Sequence, residues 1–535
     1  MVPDHSGVVD GTQQPIMAEE TQPSSKQSIL PELRLGAVEV WSLAWPTILT
    51  MVSFTVMQFT DRLMVGQVGM VEIAAQGNSG TWSFAAISTI VGVVTVVNTF
   101  VSQHLGANEP EKGVKYPWNA AWMAIGCWVV IIVPFLFIIP HIFQAINPDP
   151  QDAKLVSLET MYSTYMLLGC VFLLFGRGFI QYFLGMHKPK IITISTVIAN
   201  IVNVVANYIL IFGENGIDGF LPGIPGIPAL GLKGAAIATV IGMFMETVIP
   251  FLIFVSPKYN KKYGTRKNWQ PSFKTIKAIF KLGWPGSVQW GNEIVCWALF
   301  MTVFVGKFGT NDMAAGWIAL AFLQLSFMPA VGINVAVNSI VGKYIGANKP
   351  DTAVIRARIG VVIAMVYMTV CATVFVLFRF EFIEMFINSN QYASAERDEI
   401  IKIGANLLIV IAVFQTVDAL GIVYTGALRG AGDTVFPGIA TAVYSWVFIV
   451  GGGWVAVTFF PSVGSIGPWI AASVYIILIG LTMAIRFERG GWRSIDLLGN
   501  KEKREAARSA PLTIGPPSAE ADAAISDLVG PQDPN

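Results

Sequence analysis

The sequence predicts an all-α integral membrane protein, with 12 transmembrane helices in two six-helix lobes related by pseudo-twofold symmetry. Three observations carry this. First, the chain repeats itself. Leu43 to Pro110 reads LAWP, MVGQVG, AAQG and VSQHLGANEP in order, and Leu282 to Pro350 reads LGWP, FVGKFG, AAGW and VGKYIGANKP. Val65-Gly66, Ala74-Ala75 and Gly106-Ala107-Asn108 return 240 residues later as Val305-Gly306, Ala314-Ala315 and Gly346-Ala347-Asn348, while Trp45-Pro46 returns 239 later as Trp284-Pro285. Second, 54% of the 535 residues are hydrophobic and 13% charged, against roughly 25% charged in a soluble protein; mean hydropathy is +0.60. Third, the charges are confined to tails and short loops, leaving apolar runs of about 20 or more residues, enough to cross a hydrocarbon core.

Taken in order, residues 1–34 are polar and lack the apolar core of a signal peptide, so a mobile tail is expected. Residues 35–256 form the first lobe, with spans expected at about 36–66, 73–103, 117–140, 157–185, 191–213 and 233–256. A basic connector, 257–274, leads into the second lobe, 275–487. Its spans are expected at about 275–306, 313–343, 355–387, 400–428, 435–460 and 466–486. Residues 488–535 turn charged, then rich in Pro, Ala, Gly and Ser, and read as a disordered tail.

Orientation follows from the basic residues. From Lys258 to Lys281 there are lysines and arginines and no acid, and loops on the same side hold Lys112, Lys115, Lys188, Lys190, Lys343, Lys349 and Arg429. The opposite side holds Asp149, Asp152, Glu214, Asp218, Glu396 and Asp398. Both termini and the connector are therefore expected on the cytoplasmic face of the plasma (inner) membrane. An even number of spans per lobe makes the two copies run in the same sense, with a cavity between them.

An ionisable group inside the hydrocarbon layer costs about 2.5–3.5 kcal/mol on insertion scales, so each one is a functional candidate. Glu293 and Asp418 are the only such groups in long apolar stretches of the second lobe, 12 and 11 residues from the nearest cytoplasmic base. That is roughly 16–18 Å at helical rise, one common depth. Two carboxylates at one depth can share a proton or hold a small cation. Asp61 lies five residues before Gly66, and Asn207 six before Gly213, so they stand at matching heights. Asn203 is one helical turn from Asn207 on the same face. A carboxylate with two amides offers oxygen ligands to Na⁺ or partners to a protonated acid; an interfacial pair of Asp61 with the adjacent Arg62 is the competing reading. Arg177 and Glu246 lie at similar depth in the first lobe and read as a structural pair of buried charges. Trp41, Trp45, Trp82, Trp284, Trp290 and Trp317 read mainly as interfacial belt.

Other chemistries are missing from the sequence. There is no G-x-x-x-x-G-K-[ST] run for ATP hydrolysis. The four cysteines sit in apolar segments without C-x-x-C spacing, and the four histidines show no metal-ligand spacing. No enzyme activity, cofactor, disulfide or nucleic-acid partner is expected.

The assembled motifs resemble the multidrug and toxic compound extrusion (MATE) family in its NorM-like branch, over about residues 36–486. The acidic residue of that family's helix 1 falls on Asp61 in QFTDRLMVGQVG. Its helix 5 asparagines fall on Asn203 and Asn207 in IVNVVANYILIFG, and its helix 7 glutamate on Glu293 in PGSVQWGNE. The helix 10 aspartate falls on Asp418 in FQTVDALGIVYTGALRGAGDT, where Gln415 also fits. The resemblance implies an antiporter that moves small organic cations and drugs outward from a central cavity by alternating access; its other partner is the lipid bilayer, and a monomer is expected. Na⁺ is the expected coupling ion, held at Glu293 and Asp418 with Gln415 and Thr416 nearby; H⁺ is the alternative. A lipid-linked oligosaccharide flippase is the competing function, but its pyrophosphate head group needs a cationic cavity, and here the midplane acids outnumber the bases. No filter-like repeat favours a channel.

Overall fold

The computed structural model describes residues 25–216, 222–386 and 394–499. Twelve helices in it are long and apolar enough to cross a membrane: α1 (Pro31–Gly66), α2 (Val71–Gly106), α3 (Pro110–Ile146), α4 (Pro150–Gly185), α5 (Pro189–Asn215), α6 (Leu232–Val255), α7 (Phe273–Phe308), α8 (Thr310–Gly346), α9 (Pro350–Leu377), α10 (Glu396–Ala431), α11 (Val435–Phe459) and α12 (Ile466–Glu488). No strand occurs among the described residues. This is the multi-pass all-helical architecture the apolar runs predict, because in hydrocarbon a helix satisfies every backbone group within its own segment.

The repeated GAN-x-P string is a helix stop followed by a helix start. Asn108 and Asn348 both have φ of 58°, the left-handed conformation that ends a helix and that asparagine tolerates. The Glu109 and Lys349 amides reach back to the carbonyls of His104 and Tyr344 at 2.9 and 2.8 Å. Pro110 and Pro350 then open the next helices, where a missing N–H costs nothing.

Each half packs in one pattern. In the first, α4 sits against α2, α3 and α6, while α5 bridges α6 and α1. In the second, α10 sits against α8, α9 and α12, while α11 bridges α12 and α7. The halves then exchange helix ends. Val40, Leu43 and Ala44 of α1 are buried in the apolar core of the second half, and Ile279 and Leu282 of α7 in that of the first.

The seam between the halves keeps the same symmetry. Thr99 Oγ1 donates to the Arg429 carbonyl at 3.0 Å, and Ser339 Oγ to the Leu184 carbonyl at 2.7 Å. Glycines set how closely the backbones approach. A Cβ on Gly92 would stand 2.7 Å from Ser287 Cα, and one on Gly332 would stand 2.7 Å from Ile48 N. Gly106 and Gly346, at the ends of α2 and α8, have no room for a side chain because the Lys343 and Gln103 carbonyls lie against them. One ionic cluster breaks the symmetry: Glu39 of α1 takes hydrogen bonds from Tyr344 Oη at 2.8 Å and Arg356 Nε at 2.9 Å, with Lys343 Nζ at 3.4 Å. The equivalent place in the first half holds His104 beside Tyr116. All side-chain bonds between the halves, among the described residues, fall from mid-span toward the connector end. Among the described residues no side-chain hydrogen bond joins the halves on the opposite side.

Some boundaries differ from expectation. The chain is helical from Ser25, although its polar composition reads as a tail to residue 34. Once α1 exists, lengthening it costs little, and Glu39 is already anchored in the seam. The third span runs longer than 117–140, and the ninth ends at Leu377, followed by a separate helix Arg379–Met385. Structure continues past Glu488 because Trp492, 1% exposed, stacks on Phe487 at 5.1 Å. The expected tails at 1–24 and 500–535 lie outside the described residues. Arg429, which reads from sequence as a loop base, is in the last turn of α10 and only partly exposed.

Candidate functional site

Two polar centres lie inside the helical bundle. The first joins α1 and α5. Thr193 donates to the Pro46 carbonyl at 2.7 Å, Asn200 Nδ2 to Ser53 Oγ at 2.7 Å, and Asn207 Nδ2 to Asp61 Oδ1 at 2.5 Å. This ladder climbs to Asp61, which is 8% exposed, and ends there beside Asn203 and Asn207, at 1% and 0%. Asn207 also donates to Asn203 Oδ1 at 3.3 Å, leaving Asn203 Nδ2 and Asn207 Oδ1 buried without partners. Such groups cost free energy until something satisfies them. The matching heights read from sequence hold, and the Asp61–Arg62 pair does not form: Arg62 points to the exposed side, a consequence of the 100° step between adjacent helical residues. Tyr162 of α4, buried at 5% exposure, stands within electrostatic reach of Asp61.

The second centre joins α7, α10 and α12. Glu293 and Asp418 lie within electrostatic reach of each other, and Tyr475 Oη donates to Glu293 Oε1 at 3.1 Å. Tyr475 is also within reach of Asp418. Gln415, one turn before Asp418, is fully buried. Its Nε2 contacts Met368 Sδ at 3.6 Å, and its Oε1 has no partner. Thr416 pairs with Thr369 at 3.0 Å. A polar ladder also links α7 to α11, through Gln289–Thr441 at 3.3 Å and Asn292–Ser445 at 2.6 Å. No group of three or more His, Cys, Asp or Glu side chains that could hold a metal ion occurs among the described residues. A cation here would therefore depend on the two carboxylates and neutral oxygens.

Sequence reasoning missed Tyr475, whose hydroxyl is one of several in its apolar span and stands out only once α12 is placed against α7. It also missed Glu159 of α4, 0% exposed, which accepts from Asn78 at 2.7 Å and Asn147 at 3.2 Å. Arg177 and Glu246 are corrected. No ion pair joins them among the described residues, and Arg177 Nε is buried without a partner. At that level α4 meets α6 through Gly176 against Thr247, whose hydroxyl bonds the Phe172 carbonyl at 2.7 Å. The two charged residues sit beside that contact, both partly exposed, so burial does not force them together. Of the six tryptophans read as belt, Trp41, Trp45, Trp82, Trp284 and Trp317 are exposed on the helices' outer faces or between them.

Two repeated six-helix halves, gripping each other at one end and carrying carboxylates inside, define a polytopic membrane transporter. The MatE family profile matches residues 46–209 and 294–455. The chain belongs to the MatE family of transporters. It is 28% identical over 454 residues to a probable multidrug resistance protein NorM of Shewanella oneidensis, covering 83% of this chain and 91% of that one. It is also 28% identical to a probable multidrug resistance protein NorM of Pseudomonas putida, covering 88% and 97%. The fold is similar to that of a structure described as MATE in complex with MaL6, at TM-score 0.75 and 18% identity over 86% of this chain and 98% of that one. A multidrug resistance MATE family transporter of the MOP superfamily, described as outward-facing, gives TM-score 0.75 and 19% identity over 89% and 100%.

Proposed function

We propose that the protein is a cation-coupled antiporter that exports small organic cations, including drugs, by alternating access between its two lobes. The observation that carries this is the Glu293–Asp418–Tyr475 centre inside the second lobe; Arg429, in the last turn of α10, is within electrostatic reach of Glu293 but bonds neither carboxylate among the described residues. Negative charge inside the membrane-spanning bundle attracts either a cationic substrate or a coupling ion, and an ion that neutralises it releases the substrate. The multidrug resistance names of the relatives are consistent with this cargo. An oligosaccharide pyrophosphate would meet repulsion at the same place, which disfavours the flippase reading.

Na⁺ is the proposed coupling ion. Glu293, Asp418 and the unpartnered Gln415 Oε1 supply oxygens to a monovalent ion. H⁺ is the second reading, favoured by Asp61, which bonds an amide and has no cationic partner among the described residues. Among the described residues the side-chain hydrogen bonds of the seam run from mid-span to the connector end, which supports a resting form open on the other side. The proposed arrangement has connector and termini cytoplasmic, residues 35–256 and 275–487 as lobes, and a monomer in the plasma membrane.

The test is transport of a fluorescent organic cation in proteoliposomes. An inward Na⁺ gradient at clamped pH is expected to drive efflux. If a pH gradient alone drives full transport and Na⁺ has no effect, the Na⁺ assignment fails and Asp61 becomes the leading coupling site. Labelling of the connector by an impermeant reagent from outside whole cells would reverse the orientation.

A further inference from the structure

The segment between the lobes carries a surface that transport does not use. Eight lysines and arginines lie between Lys258 and Lys281, with no acid among them. All eight are exposed, and none forms an ion pair among the described residues. Solvated lysines on a loose tether would need no further explanation, but this segment is pinned. Trp118 Nε1 donates to the Thr265 carbonyl at 2.8 Å, Trp122 Nε1 to the Trp269 carbonyl at 2.7 Å, and Asn119 Oδ1 accepts from Ser272 N at 2.6 Å. These three anchors are on α3, in the turns nearest its start, so residues 265–272 are laid along the flank of a membrane span. Trp269, 50% exposed, and Phe273, 80% exposed, stand at that flank with the cations around them.

Large exposed aromatics at the end of a span occupy the water–lipid boundary, and clustered cations beside a span face the phosphates of that boundary. We infer that residues 258–281 form a binding surface for anionic phospholipid head groups of the leaflet on the connector side. The lysines take the phosphates, and Trp269 and Phe273 enter the boundary with the acyl chains. A soluble acidic partner could reach the lysines, but it would leave the two aromatics uncovered against α3. The lipid source is favoured for that reason. Because the same segment joins the two lobes, bound lipid bears on the part of the chain that spans them.

The experiment is native mass spectrometry of the full-length protein, counting retained lipids after exposure to mixtures of phosphatidylcholine with phosphatidylserine or with a phosphoinositide. The wild-type protein is expected to retain either anionic lipid several-fold over phosphatidylcholine. Lys261, Lys262, Lys267 and Lys274 changed together to glutamine should lower that preference about tenfold with phosphatidylcholine retention unchanged. Arg266 is left in place because its Nε donates to the Val255 carbonyl at 2.7 Å. Should the fourfold variant fail to fold, Lys261→Gln with Lys262→Gln and Lys267→Gln with Lys274→Gln give the same reading as two pairs. Trp269→Ala with Phe273→Ala should lower retention of every lipid at this surface. Equal retention of anionic and zwitterionic lipid by the wild type, or an unchanged preference in the lysine variants, overturns the inference. So does competition for the site by soluble inositol phosphate that is unaffected by Trp269→Ala with Phe273→Ala, which would assign the surface to a soluble anion.

Discussion

Glu39 and Arg356 lie 2.9 Å apart across the two halves of the chain, one on the first helix and the other on the ninth. Arg356 is only 7% exposed, so removing its partner leaves a largely buried cation. Glu39→Gln is expected to weaken the closed connector end by roughly 1–3 kcal/mol, a fraction of the cost of breaking a fully buried pair. Spin labels on the connector-side ends of α1 and α8 should then report a larger population of separated distances. An unchanged distribution would mean that the glycine contacts alone hold the seam.

Gly92 and Gly332 should be equally intolerant of a side chain, since each would set a Cβ 2.7 Å from the opposing backbone. Gly92→Val and Gly332→Val are expected to lower the thermal midpoint and transport alike, by a cost of about 1–3 kcal/mol for overpacking. A large effect at one and none at the other would show that the seam loses its symmetry in function.

Glu293→Gln and Asp418→Asn should each abolish or strongly reduce extrusion while folded protein remains in the membrane. Tyr475→Phe removes one hydrogen bond to a charged group, worth about 1.5–3 kcal/mol. Coupling-ion affinity, read from ion-driven release of bound drug, should fall about tenfold or more. Normal transport by the two carboxylate variants would move the coupling centre elsewhere.

Asp61→Asn keeps a hydrogen-bonding group beside Asn207 and removes the charge. Under Na⁺ coupling at the second lobe, Na⁺-driven transport should survive in this variant at a reduced rate; loss of all transport with retained folding would make the first-lobe centre indispensable.

Arg177→Gln and Glu246→Gln should be additive within about 0.5 kcal/mol, as for residues that share no partner. Thermal unfolding of both singles and the double checks this. Rescue of one by the other would restore the ion pair expected from their depths.

The sequence determined the twelve spans, the duplication, the helix stop at Asn108 and Asn348, and the burial of Asp61, but not that of Glu159. Each of these depends on apolar length, repeat offset or a local backbone preference, all contained within one segment. Even the height match of Asp61 and Asn207 follows from counting residues at a fixed rise. Tertiary structure decided the partners. Depth alone allowed Arg177 to meet Glu246, yet the close contact there belongs to Gly176 and Thr247, because partner choice depends on how each helix is rotated about its own axis. Tyr475 joined Glu293 for the same reason, through the placement of α12 beside α7. The exchange of α1 and α7 ends between the two cores, and the Glu39 cluster that fastens only one side, likewise arise where backbones cross, and no single span encodes the angle of a crossing.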